Sequence, residues 1–231
     1  IGETTSTVTI HDVPMADYTF SNVCKNEVFS PLDASTIDNG TVDAWAWDFG
    51  DNTGSNVQNP THTYTASGNY PVTLTVTSDK GCSNSVTKEA TVYVLPDADF
   101  AADPVCEDAA MSFINGSAIS YGSMNYDWDF ASQGTSTDVN PDFTFTGNGN
   151  FSVKLVATSN HGCKDSVTNV VTVWPNPVAA FTVADVCIGE TSEFVNGSTV
   201  SSGTIDEYFW DFGDASFSTG ANPEHTYANS N

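Results

Sequence analysis

The sequence has very few basic residues: Lys and Arg total 5, whereas Asp and Glu total 29, for a net charge of −24. Phosphate binding needs clustered Lys and Arg side chains, so nucleic acid is excluded as a main partner and anionic membrane surfaces are disfavoured. The sequence also lacks any run of eighteen apolar residues. It therefore predicts no membrane insertion.

Sequence signatures of the common enzyme classes are also missing. The chain has no Gly-x-Ser-x-Gly, no His-Glu-x-x-His and no glycine loop of the kind that cradles phosphate. The five cysteines do not form the close pairs that bind zinc. We therefore expect that the protein is not an enzyme. The sequence gives no catalytic residue, no cofactor-binding residue and no definite metal-binding residue.

Charged residues make up only 15% of the chain, whereas Ser, Thr, Asn and Gly are abundant. This composition is typical of secreted and surface proteins, and the 39% of hydrophobic residues suffice for folded cores. The sequence begins Ile-Gly-Glu, without Met or an apolar leader, so we expect any signal peptide to have been removed. The predicted location is extracellular or at the cell surface.

An internal repeat with a period of about 82 residues organises the chain. The Trp-Asp-Phe motif at 47–49 recurs at 128–130 and 210–212, with offsets of 81 and 82 residues. The same offsets relate three Asn-Pro dipeptides, at 59–60, 140–141 and 222–223. They also relate three short segments that end in an aromatic residue, at 62–64, 143–145 and 225–227. Because several unrelated motifs share these offsets, the chain contains three copies of one small domain.

Proline-containing linkers mark the boundaries of the copies. We assign residues 1–13 to the last strand of a preceding repeat plus a linker, 14–95 to the first repeat, 96–176 to the second and 177–231 to the third. Short, proline-stiffened linkers predict a semi-rigid, acidic rod. The third repeat lacks two strands that its siblings have after the position of Tyr227, so we expect a truncated copy. An alternative is that a strand of a neighbouring chain completes it.

Each repeat shows the alternation of β-strands. Apolar residues alternate with threonines over 72–76, and Trp45, Trp47 and Phe49 share one face. No segment has a convincing helical period. The predicted fold class is all-β, with each repeat forming a two-sheet sandwich around a buried Trp.

Three motifs together resemble the PKD (polycystic kidney disease) domain: Trp-Asp-Phe-Gly-Asp at 47–51, Asn-Pro-x-His-Thr-Tyr at 59–64, and Gly-x-Tyr-x-Val-x-Leu-x-Val at 68–76. The resemblance covers essentially the whole chain. It implies tandem immunoglobulin-like sandwiches of the kind found in large bacterial surface proteins and adhesins, serving as spacers or interaction modules. In this family, tandem copies also occur as accessory domains of secreted proteases, collagenases and glycan-degrading enzymes. The repeat-core motif comprises Trp47, Phe49, Tyr64, Trp128, Phe130, Phe145, Trp210, Phe212 and Tyr227.

The second repeat departs from this pattern, with Ala131-Ser132 in place of Gly-Asp and Phe143 in place of His. Packing therefore explains His62 and His225 better than catalysis does, and turn formation explains the aspartates of the motif. Oxygen-rich turns on such an acidic chain could still bind Ca²⁺. The first positions to consider for calcium are Asp48, Asp51, Asp211 and Asp214.

The five cysteines follow the repeat, because each whole copy has a Val-Cys and a Gly-Cys dipeptide. Pairing within domains would join Cys24 to Cys82 and Cys106 to Cys163, and would leave the partner of Cys187 outside the sequence. Pairing between domains would instead join Cys82 to Cys106 and Cys163 to Cys187. The sequence leaves both open. We favour pairing within domains, because a domain that folds alone gains more from its own disulfide.

The functional hypothesis from the sequence is a non-catalytic spacer in an extracellular repeat-array protein, an adhesin or a fibre. The first alternative is an accessory region of a secreted protease or glycan-degrading enzyme. The second is a filament subunit completed by strand exchange. The expected partners are neighbouring repeats of the same chain, and further copies in a fibre or a surface glycan or protein ligand.

Overall fold

The structure, a computed structural model, describes residues 4–228 and contains only β-strands, turns and irregular segments there. None of these residues forms a helix capable of crossing a membrane. The strands of the first repeat are β1 (Tyr18–Thr19), β2 (Val23–Cys24), β3 (Val28–Phe29), β4 (Leu32–Asp33), β5 (Val42–Asp48), β6 (Gly54–Ser55), β7 (His62–Thr63), β8 (Gly68–Ser78) and β9 (Ser83–Tyr93).

The main sheet of the first repeat has the strand order β2-β9-β8-β5-β6, and the pairs β1-β4 and β3-β7 form the facing layer. The hairpin of β8 and β9 is the longest pairing, because both strands have eleven residues. The strand β2 pairs in parallel with the end of β9, with Cys24 opposite Tyr93. This short parallel pairing fixes the position of the first cysteine.

The second repeat has the same plan. Its strands are β10 (Phe100–Ala102), β11 (Val105–Cys106), β12 (Met111–Asn115), β13 (Met124–Phe130), β14 (Thr135–Ser136), β15 (Asp142–Phe143), β16 (Gly149–Ser159) and β17 (Lys164–Trp174). They form a five-stranded sheet, β11-β17-β16-β13-β14, and a three-stranded sheet, β10-β12-β15. Again the cysteine of the two-residue strand, Cys106, lies opposite the last residue of the long strand, Trp174.

The third repeat has fewer strands: β18 (Phe181–Val183), β19 (Thr191–Asn196), β20 (Trp210–Asp211), β21 (Phe217–Ser218) and β22 (Glu224–Thr226). They form the sheet β18-β19-β22 and the pair β20-β21. Within the described residues, no counterpart of the hairpin β8-β9 covers this core. As a result Phe181 is 57% exposed, whereas its counterpart Phe100 is 5% exposed.

Aromatic rings and aliphatic residues of the long strands form the cores of the first two repeats. In β8 every second side chain is buried, at Val72, Leu74 and Val76, as the alternation predicts. Around them pack aromatic residues of the first repeat: Tyr18, Phe29, Trp47, Phe49 and Tyr64. The second repeat has its own core, in which Val153 and Leu155 of β16 pack with Phe100, Met111, Phe113, Trp128, Phe130 and Phe145. The predicted all-β class with tandem sandwiches is therefore confirmed.

Residues 4–14 form no strand, although the pattern of residues 5–10 predicts one. A strand needs a neighbour that accepts and donates its backbone hydrogen bonds, and the described part of the chain offers none to this segment.

By contact density the chain divides into two compact units. The first contains the residues up to Ala98 together with Ser117–Asn125 and Val156–Ser166. The second contains Asp99–Gly116, Tyr126–Leu155 and the residues from Val167 onward. The first unit thus combines the first sandwich with a loop and a hairpin turn of the second repeat.

Candidate functional site: a disulfide that joins successive repeats

One half of the site is Cys24, at the end of the two-residue strand β2. The parallel pairing with β9 places it beside Tyr93, and the next residue, Lys25, donates its backbone N–H to the carbonyl of Tyr93 at 2.9 Å. The backbone N–H of Cys24 itself is bound by a carboxylate oxygen of Glu27 at 3.0 Å. The cysteine is therefore held at the end of the first repeat that leads into the second.

The other half is Cys163, in the tight turn between β16 and β17. The N–H of Cys163 donates to the hydroxyl of the buried Ser159 at 3.1 Å, and Ser159 N–H donates to the Cys163 carbonyl at 2.8 Å. Gly162 closes the turn with φ of +84°, a value that side-chain-bearing residues rarely adopt. The turn presents the thiol of Cys163 at the tip of the long hairpin.

Cys24 and Cys163 form a disulfide within the first compact unit, with their Cα atoms 5.7 Å apart. Both are buried, with 6% and 1% of their surfaces exposed. Beside the bond, the ring of His161 stacks on Tyr93 with centroids 4.0 Å apart. A covalent bond and a stacked ring pair thus link the hairpin tip of one repeat to the preceding repeat.

This pairing corrects the sequence prediction. The bonds Cys24–Cys82 and Cys106–Cys163 are not formed, nor are Cys82–Cys106 and Cys163–Cys187, and Cys82, Cys106 and Cys187 are free. The reason is that the two cysteines of one repeat lie at opposite ends of its long strand. Cys82 immediately precedes β9, whereas Cys24 lies opposite its last residue, so about 30 Å of extended chain separates them. A disulfide requires Cα atoms within about 7 Å.

The repeat-core tryptophans have a common hydrogen bond. In each repeat the indole N–H donates to the carbonyl of the residue ten positions later: Trp47 to Val57, Trp128 to Asp138 and Trp210 to Gly220, at 3.0, 2.9 and 2.8 Å. The bond lets a buried Trp satisfy its polar atom. The motif aromatics of the first two repeats are buried, whereas Trp210, Phe212 and Tyr227 are half-buried. All nine residues lie in packing positions.

The histidines of the outer repeats also pack against this core. His62 stacks on Phe49 at 4.3 Å, and its Nε2 lies 2.8 Å from a carboxylate oxygen of Asp51. His225 repeats the arrangement with Phe212 and Asp214. In the second repeat, Phe143 stacks on Phe130 at the same 4.3 Å. A phenyl ring can thus replace the imidazole, as expected for a packing role.

The aspartates of the motif form turns. Asp48 accepts a hydrogen bond from the N–H of Gly50, and Asp51 accepts bonds from the N–H and hydroxyl of Thr53. Burial raises the pKa of Asp51, but the hydrogen bonds from Thr53 and His62 outweigh it and leave this pKa below its usual range. Asp211 and Asp214 make the same turn contacts in the third repeat.

No group of three or more His, Cys, Asp or Glu side chains suited to a metal ion occurs between residues 4 and 228. The four aspartates singled out for calcium are divided between the two outer repeats and are engaged by backbone N–H groups. Calcium binding therefore stays a prediction of the sequence.

No motif of the sequence predicts Tyr93 and His161 as neighbours of the disulfide. Their repeat counterparts are Trp174 and Lys80, so neither position conserves one residue type between the repeats. The available signal was that Tyr93 and Trp174 are both aromatic residues at the end of the last strand.

Comparison with known proteins identifies the modules. A PKD domain model matches three consecutive segments, residues 11–94, 93–174 and 174–230. The chain is 36% identical over 73 residues to the collagenase ColA of Bacillus cereus, which is 32% of this chain and 8% of that protein. It is 45% identical over 51 residues to the pre-pro-metalloprotease PrtV of Vibrio cholerae, 22% of this chain and 6% of that protein. The matched part thus spans less than a tenth of either relative.

Among solved structures, the PKD1 domain of Vibrio anguillarum Epp is similar at 33% identity, with a TM-score of 0.35. The similarity covers 37% of this chain and 99% of that domain. Because the family model matches nearly every residue in three successive segments, the chain belongs to the PKD domain family and consists of tandem PKD domains.

Proposed function

We propose that this chain is a non-catalytic accessory region of a secreted bacterial protease. The observation that carries the proposal is the set of curated relatives, which are named as collagenases and metalloproteases and which match over single repeats. The placement of all motif side chains in cores and turns supports a role other than chemistry. Substrate cleavage would then belong to another part of the protein.

An extracellular location is part of this proposal. Disulfides form and persist in oxidising compartments, which favours secretion for a chain with a buried Cys24–Cys163 bond. The net charge of −24 supports solubility outside the cell and opposes association between copies of the chain.

The test compares the full-length protein with a variant that lacks these 231 residues. We expect both to hydrolyse a short soluble peptide at the same rate, because the reacting groups lie elsewhere. We expect the deletion to lower hydrolysis of insoluble collagen several-fold, because an accessory region acts on the presentation of a polymeric substrate. Absence of peptide hydrolysis by the full-length protein, or equal collagen hydrolysis by both proteins, would contradict the proposal.

A spacer in a surface repeat array is the second candidate. It is favoured by the disulfide that joins successive repeats, because a covalent link between repeats suits a segment under mechanical load. Under this candidate the full-length protein would show further 82-residue repeats and no peptidase activity. The same experiment therefore distinguishes the two functions.

A further inference from the structure

The three free cysteines occupy the same repeat positions as the two that are bonded. We propose that the cysteine of Val-Cys in each repeat forms a disulfide with the cysteine of Gly-Cys in the next repeat. Under this rule Cys106 bonds to the cysteine in the hairpin turn of a complete third repeat, and Cys187 bonds to the equivalent cysteine of a fourth. Cys82 bonds to the Val-Cys cysteine of a preceding repeat. This pairing rule is independent of the proposed function of the chain.

Cys106 is presented in the same way as Cys24. Each lies in a two-residue strand that pairs in parallel with the end of the long strand, opposite Tyr93 or Trp174. In each case the following residue, Lys25 or Glu107, donates its N–H to that aromatic residue's carbonyl, at 2.9 and 2.8 Å. The backbone therefore places both cysteines beside the last residue of the long strand, after which the chain continues into the next repeat.

Cys187 shares one of the backbone contacts of Cys24. Its N–H donates to a carboxylate oxygen of Glu190 at 3.2 Å, as the N–H of Cys24 does to Glu27 at 3.0 Å. The third repeat thus builds the same turn after its Val-Cys dipeptide.

Cys82 is presented in the same way as Cys163. The N–H of Cys82 donates to the Ser78 hydroxyl at 3.2 Å, and Ser78 N–H donates to the Cys82 carbonyl at 2.8 Å. Gly81 has φ of +81°, close to the +84° of Gly162. The turn of the first repeat therefore has the shape that the bonded turn has.

The surface around Cys106 carries an exposed aromatic ring. In the first repeat, Tyr93 stacks with His161 of the hairpin tip of the second repeat. The equivalent residue of the second repeat is Trp174, which is 52% exposed, and Cys106 beside it is exposed as well. The exposed indole of Trp174 can therefore offer a hairpin tip the ring surface that Tyr93 offers to His161. A hairpin tip with His or Lys before Gly-Cys suits this surface, because imidazole stacks on an indole ring and an ammonium group binds its face.

A low-molecular-weight disulfide serves as the oxidant of the two cysteine thiols. Two cysteine thiols lose two protons and two electrons as the sulfur–sulfur bond forms, and one molecule of oxidised glutathione takes them up to give two molecules of reduced glutathione. The thiolate of one cysteine attacks glutathione disulfide, and the second thiolate then displaces glutathione from the mixed disulfide.

A lengthened chain tests the rule. Asn231 aligns with Gly149, so a copy of residues 150–174 placed directly after Asn231 supplies the missing hairpin with its Gly-Cys turn. The copy carries His161→Lys, the residue that the first repeat has at this position as Lys80, so that the peptide of the copied cysteine differs in mass from the peptide of Cys163. The chain is refolded with oxidised and reduced glutathione, alkylated, and digested without reduction for mass spectrometry. We expect a Cys24–Cys163 peptide pair and a second pair that joins Cys106 to the copied cysteine, with Cys82 and Cys187 alkylated.

Two controls keep the result interpretable. In the lengthened chain with Cys106→Ser, the copied cysteine should be alkylated, and the unlengthened chain should show alkylation of Cys82, Cys106 and Cys187. Formation of Cys24–Cys163 with Cys106 alkylated in the lengthened chain, or a bond from Cys106 to Cys82 or Cys187, would overturn the rule. If the lengthened chain forms neither bond, the full-length protein decides by the same digestion: Cys106 bonded to a Gly-Cys peptide of the following repeat supports the rule, and any other state of Cys106 contradicts it.

Discussion

At the scale of single residues, many side chains that recur in all three repeats hold the backbone of a neighbouring segment. The amide oxygens of the three Asn-Pro asparagines accept hydrogen bonds from the N–H groups of Asp33, Asn115 and Asn196, at 2.9, 2.9 and 2.8 Å. A proline after each asparagine restricts the conformation from which the amide reaches across. The dipeptide thus recurs because it fastens a loop to a strand, which needs both residue types.

Two adjacent turn residues of the second repeat, Ala131 and Ser132, have a positive φ without being glycine. Ala131 has φ of +53° where the outer repeats have Gly50 and Gly213 at +77° and +81°. An L-residue in this region costs about 1–2 kcal/mol, and glycine lowers that cost while adding some entropy to the unfolded chain. We expect Ala131→Gly to raise the free energy of unfolding by about 1 kcal/mol, measured by calorimetry.

The matched change is Ala44→Gly, at an exposed position within β5. Here glycine only weakens a strand, so the free energy of unfolding should fall by about 0.5–1 kcal/mol. If both substitutions destabilise the protein equally, the backbone of Ala131 is not strained.

Asp51 makes the first repeat sensitive to acid. Burial raises its pKa, but the hydrogen bonds from Thr53 and His62 lower it more, so the folded-state pKa lies below the unfolded value of about 3.9. The ionised carboxylate therefore stabilises the fold above the unfolded pKa, and this contribution is lost as the pH falls through the folded pKa.

We expect Asp51→Asn to lower the free energy of unfolding at pH 7 by up to about 1 kcal/mol, because the pair is partly exposed. The difference from the native chain should shrink as the pH approaches 3 in thermal unfolding measured by circular dichroism. Asp43→Asn, on an exposed position of β5, is the control and should leave the midpoint unchanged at both pH values. A constant effect of Asp51→Asn across this range would exclude the charge as its cause.

At the scale of elements, the sequence predicted the long strands but not their ends. The alternation at 72–76 marks a strand that the structure extends to Gly68–Ser78, and the second repeat has the equivalent strand Gly149–Ser159. The added residues are mainly Gly, Asn, Thr and Ser, whose side chains carry no apolar period although their backbones pair. Hydrogen bonding between strands extends beyond the part that the core requires.

The cysteine pairing could not be read from the sequence because it depends on the two-residue strands β2 and β11. Two residues are too short for a periodic signal, and their pairing is parallel, which motif spacing alone does not predict. The expected pairing within a domain is wrong, because it rests only on the entropic gain from closing a loop inside one domain. The length of β9 separates the two cysteines, and geometry overrides the entropic gain.

The strand β16 should contribute most to stability through its buried side. Leu155 is fully buried among Val153, Phe130 and neighbouring core residues. We expect Leu155→Ala to lower the free energy of unfolding by about 2–5 kcal/mol, because it removes apolar contacts and leaves a cavity. Val170→Ala in β17, at a position that is 65% exposed, should change it by less than about 0.5 kcal/mol. Comparable losses for both variants in urea unfolding would place the core elsewhere.

At the scale of the whole molecule, the disulfide changes how tandem domains cooperate. Cys24 and Cys163 are 139 residues apart in sequence, so the bond closes a loop that includes most of two repeats. In the chain-entropy model a loop of this length contributes about 5 kcal/mol relative to the unfolded chain. The two repeats are thus coupled through the unfolded state as well as through the contact of Tyr93 with His161. We infer that tandem copies gain stability from adjacency.

The net charge of −24 acts against that stability at low ionic strength. Like charges repel one another more strongly in the compact state, and salt screens them as the Debye length falls from about 30 Å at 0.01 M to about 8 Å at 0.15 M. We expect NaCl over this range to raise the midpoint of thermal unfolding by a few degrees, corresponding to about 1 kcal/mol.

Calcium at matched ionic strength separates screening from a specific site. Asp51 and Asp214 are already bound by hydroxyl, backbone and imidazole groups, and the structure between residues 4 and 228 offers no cluster of three ligands. We therefore expect CaCl₂ to raise the midpoint as much as NaCl of equal ionic strength does. A larger increase with calcium, abolished by Asp48→Asn or Asp211→Asn, would establish the calcium site that the acidic turns suggest. An unchanged midpoint in both salts would show instead that repulsion among these charges contributes little to the free energy of unfolding.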